Sequence, residues 1–242
     1  MRVTWEELGW ERLAAGVGRC RLPGWDCTAG LVVGAGTALL IDAGSSLREG
    51  ARLRARAEEL AGHRVTHLAF THPHFDHVLG AGAFAGAEVF GAVGIDTVFE
   101  GRRAREELRA DAVRNGLTAP LADEAVDALV VPPHRVSGEW TLDLGDGRQV
   151  LLANVGPGHT AHDLAILVPG APEVVFCGDL VEESGEPQAG PDAVPSHWPA
   201  ALDRLLDLGG EDALYVPGHG AVVDARFVRA QRDALAERFG VS

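Results

Sequence analysis

A chain of 242 residues, 46% hydrophobic and 23% charged, can bury a substantial core, which excludes a disordered polypeptide. A formal net charge of −14 repels phosphate backbones and anionic lipid, so neither nucleic acid nor a membrane surface is expected as a partner. Lysine is absent, which removes any lysine Schiff base or lysine general base.

The cysteines, Cys20, Cys27 and Cys177, are odd in number and far apart. They make no disulfide framework, and a reducing cytoplasm is the expected compartment. The segment from Met1 to Glu7 carries acid where a signal peptide carries an apolar run. No stretch approaches the ~18 apolar residues of a membrane span.

In chain order, Gly30 to Val33 and Ala38 to Ile41 read as two strands of a hairpin. Ser46 caps a helix running from Leu47 to Ala61. Val65 to Phe70 is the next strand, and it leads straight into a histidine-rich run. A helix then starts near His77, weakened by Gly80 and Gly82, before a strand at Ala87 to Phe90. Ile95 to Ala128 is helical, broken near Asn115-Gly116 and Pro120. Strands follow at Ala128 to Val131, Trp140 to Leu144, Val150 to Val155, Leu164 to Val168 and Val174 to Cys177. Ser184 to Pro195, rich in Gly, Pro and acid, is a long loop. The chain closes with a helix at Trp198 to Leu208, a strand at Leu214 to Val216 and a helix at Asp224 to Arg238. With no repeat and no linker, residues 1–242 read as one domain. Strands in two groups set off by helices predict an α/β fold of stacked sheets with helices outside.

The chemistry is concentrated in His72-Pro73-His74-Phe75-Asp76-His77. Side chains at i and i+2 of extended backbone point to one side, so His72 and His74 can reach one ion. Asp76 and His77, at the start of a helix, are sent another way and can serve a second ion. Imidazole with carboxylate is a ligand mix that zinc, iron and manganese accept. His159, Asp179 and His219 each sit at or just beyond the end of a strand, where loops gather along one sheet edge.

The series Asp42, His72-x-His74-x-Asp76-His77, His159, Asp179, His219 resembles the metallo-β-lactamase superfamily over most of the chain. The resemblance implies a four-layer αββα sandwich with the site at one edge of the sheets. It implies that His72, His74 and His159 hold a first metal, that Asp76, His77 and His219 hold a second, and that Asp179 bridges them. Asp42 matches an acid that orients a ligand histidine. Two Zn²⁺ per chain are then expected, with iron or manganese as substitutes. A hydroxide between two ions ~3.5–4 Å apart is a nucleophile at neutral pH, and Asp76 is placed to orient it or move its proton.

The expected function is therefore hydrolysis of an ester, thioester or lactone of a small molecule. True β-lactamases of the superfamily generally lack the bridging Asp, so Asp179 argues against antibiotic hydrolysis. Glyoxalase II normally adds a helical domain after the position of His219. Acyl-homoserine lactonases use a Tyr just after the bridging Asp, where this chain has Leu180. A mononuclear iron oxidoreductase like the persulfide dioxygenases is the alternative from another class, and a non-catalytic metal scaffold is the third. Oligomeric state, a homo-oligomer included, is left open.

Phe75, Trp198 and His162 are candidate pocket residues. For His162 the competing reading is a loop histidine bonded to a neighbour, and Asp163 is a candidate brace for the same loop. Trp140 and Cys177 read as core, while Cys20 and Cys27 are too far apart for a metal knuckle. The arginine-rich segment Glu100 to Arg114 reads as a solvated helix face, with a flap over the site as its functional alternative.

Overall fold

The computed structural model describes residues 3–241. Its first sheet runs in simple chain order: β1 (Glu11–Ala14), β2 (Val17–Arg21), β3 (Thr28–Val33), β4 (Ala38–Ile41), β5 (His67–Ala69), β6 (Glu88–Ala92) and β7 (His134–Val136). The first four strands pair antiparallel and the last four parallel, so β4 belongs to both ladders. The second sheet has the order β12-β11-β10-β9-β8, from β8 (Glu139–Asp143), β9 (Gln149–Asn154), β10 (Leu164–Val168), β11 (Val174–Glu182) and β12 (Leu214–His219). Of these, β11 and β12 run parallel and the others antiparallel.

Burial explains why the strands read as apolar runs. In β4, Leu39 and Ile41 point into the layer between the sheets, while Ala38 and Leu40 point to the helical layer. In β10, Leu164, Ile166 and Val168 face the inter-sheet core, and Ala165 and Leu167 face the opposite helices. A strand covered on both faces needs apolar residues at every position. Each large aliphatic side chain so buried contributes roughly 1.5–3 kcal/mol. The two backbones also approach closely: a β-carbon on Gly30 would lie 2.5 Å from the Phe176 ring.

The helices form the outer layers. On the first sheet pack α1 (Leu47–Ala61), α3 (Arg102–Arg114) and α4 (Ala119–Asp127), with the single-turn α2 (Phe75–Val78) at the site. On the second pack α5 (Trp198–Gly209) and α6 (Ala225–Phe239). Ser46 accepts from Glu49 N at the start of α1, and Asp224 accepts from Phe227 N at the start of α6, each satisfying an orphan helix donor. Four layers result, as expected for an αββα sandwich. Among the described residues, no helix is long and apolar enough to cross a membrane.

The structure departs from expectation in several segments. Strands β1 and β2 were not expected, because Glu11, Arg12 and Arg19 interrupt their apolar pattern; Arg19 is nevertheless buried, held by Glu11 and the Gly220 carbonyl. Ala128 to Val131 is not a strand; pairing with β6 falls instead on His134–Val136. Pro120 does not break a helix but lies in the first turn of α4, where a missing N–H costs nothing. The helix expected near His77 begins at Phe75 and lasts one turn. Trp140 is 42% exposed rather than core, because β8 is the edge strand of its sheet.

Candidate metal centre

The parallel strands bring their C-terminal ends to one edge, and the site is assembled there. Asp42 follows β4 in a left-handed conformation (φ 59°). Thr71 and His72 follow β5, and α2 carries Asp76 and His77. His159 lies on the β9–β10 connection, Asp179 inside β11, and His219 at the end of β12. Two glycines let these loops close in. A β-carbon on Gly218 would overlap Asp179 Oδ1, and one on Gly178 (φ 54°) would lie 2.6 Å from Thr71 Cβ.

All seven residues expected as ligands converge. Nitrogens and carboxylate oxygens of His72, His74, His159 and Asp179 lie within 4.8 Å of one another, and so do those of His77, Asp179 and His219. Asp179 is common to the two clusters. Its Oδ2 is 3.6 Å from His72 Nε2, 3.4 Å from His159 Nε2 and 3.3 Å from His219 Nε2; its Oδ1 is 3.2 Å from His77 Nε2. Asp76 Oδ2 adds to the second cluster, 3.4 Å from His219 Nε2 and 3.7 Å from His77 Nε2.

The outer nitrogen of every one of these histidines is tied down. His159 Nδ1 donates to the Gln188 carbonyl and His219 Nδ1 to the Trp25 carbonyl. His77 Nδ1 donates to Asp42, and His74 Nε2 to Asp192. The Thr71 hydroxyl donates to Asp42 Oδ2, so it accepts from His72 Nδ1 at 3.0 Å. The inward nitrogens, His72 Nε2, His74 Nδ1, His77 Nε2, His159 Nε2 and His219 Nε2, can then all present lone pairs. His72 Nε2 and Asp179 Oδ1 are buried with no hydrogen-bond partner, a costly state for polar atoms that a cation would relieve. The donor set of imidazoles and carboxylates fits a transition-metal pair.

Electrostatics divide the histidines into two groups. Burial holds His72 well below the usual imidazole range and His159 down to about 4, against the opposing pull of Asp179. For His74, His77 and His219 burial also pulls downward, but neighbours prevail and raise them: Asp192 foremost for His74, Cys27 and then Asp179 for His77, and Asp179 for His219, to about 9. Burial would raise Asp179, yet His72, His77 and His219 hold it well below the usual carboxylate range. Asp42 is raised because burial outweighs its contact with His77.

A sequence model of the metallo-beta-lactamase superfamily matches residues 22–219. The chain belongs to that superfamily. Over 197 residues it is 27% identical to metallo-beta-lactamase domain-containing protein 1 of Xenopus laevis, covering 81% of this chain and 71% of that protein. It is 30% identical over 170 residues to the hydroxyacylglutathione hydrolase of Cupriavidus metallidurans, covering 69% of this chain but only 55% of the relative. Solved structures share the fold. The metallo-β-lactamase FIM-1 of Pseudomonas aeruginosa, in its mono-zinc form, superposes with a TM-score of 0.69 at 20% identity over 96% of each chain. The metallo-β-lactamase of Hirschia baltica gives 0.69 at 15% identity, over 93% of this chain and 96% of that one.

A cleft of about 660 Å³ opens over the superfamily site. Phe75 lines it as expected, packed edge-to-face on Trp25 at 5.2 Å. The other two expected pocket residues do not line it. Trp198 is fully buried, donates to the Leu180 carbonyl and sets its ring 5.3 Å from that of His159; it supports a candidate ligand from behind. His162 turns away and pairs with the Val93 carbonyl. Asp163 does brace the loop, accepting from Thr160 N and Oγ. On α3, Arg102 and Arg103 pair with Glu106 and Glu107 in solvent, while Leu108, Asp111 and Arg114 wall the cleft. That helix has the solvated face expected of it, and towards the cleft it gives a mixed side, Glu107 and Asp111 beside Arg114.

Several contributors escaped the sequence, Cys27 and Asp192 among them. Cys27 lies 3.6 Å from His77 Nδ1 and its thiol donates to the Asp76 carbonyl at 3.2 Å; burial pushes its pKa well up, and its sulfur lies within 4.8 Å of ligand atoms of Asp76 and His77. Asp192, midway along the long loop, holds His74. Neither stands in a motif, so no local signal marks them.

Proposed function

We propose that the chain is a binuclear metal-dependent hydrolase acting on an ester, thioester or lactone of a small molecule. The observation that carries this reading is the pair of ligand clusters sharing Asp179. In the proposed assignment His72, His74 and His159 hold one ion, and Asp76, His77 and His219 hold the other. Two such ions supply Lewis acidity, lowering the pKa of water towards neutrality and polarising an acyl oxygen.

The protein residues do the rest. Asp42 keeps the metal-facing nitrogen of His77 free of its proton. Asp76, facing both the cleft and the second cluster, is proposed to orient the attacking water and to carry its proton towards the leaving group. Trp25 and Phe75 give an apolar wall for an acyl chain and limit water around the reacting carbonyl. The relative named as a hydroxyacylglutathione hydrolase supports acyl transfer to water as the reaction class. The carboxylates of Glu182, Glu186 and Asp192, which line the same cleft, favour a neutral or cationic substrate.

The test is metal analysis followed by a panel of lactones, thioesters, phosphodiesters and β-lactams with Zn²⁺, Mn²⁺ and Fe²⁺. Asp179→Ala is expected to lose the second metal and most turnover. Unchanged activity in that variant would exclude a two-metal mechanism. Iron loading with oxygen consumption and no hydrolysis would favour the mononuclear oxidoreductase instead.

A further inference from the structure

The outer partners of the five clustered histidines divide by location. Thr71, Asp42 and the Trp25 carbonyl belong to the packed edge of the first sheet, and they serve His72, His77 and His219. The other two histidines, His74 and His159, are held from one loop. Its Asp192 accepts from His74 Nε2 at 3.0 Å, and its Gln188 carbonyl accepts from His159 Nδ1 at 3.0 Å. Both histidines belong to the first cluster.

That loop, residues 183–194, has no regular structure of its own, yet it is pinned at three places. Glu183 N donates to the His219 carbonyl, and Glu183 Oε2 accepts from Ala221 N. Arg238 reaches from α6 to the Pro187 carbonyl at 2.8 Å. Val194 N donates to the Gly158 carbonyl, one residue before His159. The loop therefore spans the sites at both ends, while its middle also lines the cleft through Glu186, Gln188 and Asp192.

We propose that the middle of this loop, from Gln188 to Asp192, is a strap that positions the first metal site, with Asp192 as its positioning residue. The inference rests on the two-metal reading above. A carboxylate on the outer nitrogen of a ligand histidine fixes tautomer and ring orientation, and loss of such a partner typically costs 10–100-fold in metal affinity. His159 keeps its main-chain partner in any Asp192 variant, and the second cluster keeps both of its own. Asp192 is 45% exposed, so its replacement leaves no buried vacancy. Because the strap also walls the cleft, a ligand that shifts it would change metal affinity, and metal would change ligand affinity by the same factor.

The experiment is a stepwise Zn²⁺ titration of the full chain against a competing chromophoric chelator, with thermal melting of the metal-free proteins alongside. In Asp192→Ala one of two binding steps should weaken about 10–100-fold while the other stays within about twofold. Asp192→Asn, which retains an acceptor oxygen but not the charge, should fall between wild type and Asp192→Ala. Equal loss at both steps, or two unchanged steps, would overturn the strap. Wild-type protein that binds no metal would overturn the two-metal reading itself, and the strap with it.

Discussion

Asp42→Asn tests the positioning of both clusters at once. Asp42 Oδ1 accepts from Thr71 N at 2.8 Å, while Oδ2 accepts from Thr71 Oγ at 2.7 Å and from His77 Nδ1 at 2.8 Å. Through the Thr71 hydroxyl it also orders His72, a member of the other cluster. An asparagine has one acceptor oxygen. If that oxygen stays on Thr71 N, its amide N–H groups face two donors, Thr71 O–H and His77 Nδ1–H. Both conflicts are relieved by turning the hydroxyl and by moving the His77 proton to Nε2, the nitrogen that faces the metal. Turning the hydroxyl removes the acceptor of His72 Nδ1, which gives the same outcome there. Each ligand so disturbed should weaken its metal about 10–100-fold, equivalent to ~1.4–2.7 kcal/mol per site. Both binding steps should therefore fall, unlike the single step expected for Asp192. The assay is the same Zn²⁺ competition titration, with ¹⁵N chemical shifts of the imidazoles reporting the tautomers. Wild-type affinity at both steps, in a variant shown by thermal melting to be folded, would refute the relay.

Three further outcomes are expected. Gly218→Ala keeps every candidate ligand but places a β-carbon over Asp179 Oδ1 and 2.9 Å from its Cγ, so turnover should drop about 10²-fold; wild-type turnover would mean the carboxylate is not held by that close approach. Asp163, fully buried, has a pKa raised from 3.8 to about 7, chiefly by burial. A raised acid contributes stability that is present below pH 3.8 and lost as pH rises through about 7. Relative to wild type, metal-free Asp163→Asn should therefore gain up to about 4 kcal/mol between pH 4 and 8 in denaturant titrations, and a flat difference would contradict the burial argument. Finally, Glu107, Asp111, Glu182, Glu186 and Asp192 outnumber Arg114 along the cleft. For one acyl group, neutral or cationic leaving groups should surpass anionic ones by ~10-fold in kcat/KM at low salt, narrowing as salt is added; a preference for acylglutathione under those conditions would refute it.

Much of the site could be read from residue order. The run His72 to His77 and the strand-end positions of His159, Asp179 and His219 are local patterns, and the structure gathers all of them. Apolar runs likewise located β3 to β6 and β9 to β12, because strands covered on both faces must be apolar throughout. Strands β1 and β2 escaped detection because their polar residues are satisfied by partners far along the chain, as Arg19 is by Gly220.

Ligand identity and the order of the elements depend on chemistry that neighbours in the chain can express, so they were set before folding. Which way a side chain faces is settled by whatever packs against it, and that partner is usually remote. Trp198 became a backing for His159 because α5 lies under β11; His162 left the site because the Val93 carbonyl was within reach. Cys27 arrived beside His77 through a bridge between its own backbone and that of His219. Asp192 met His74 only because both ends of an irregular loop are pinned across the site. Contacts of that kind carry no periodicity and no fixed spacing. Only the tertiary structure could decide them.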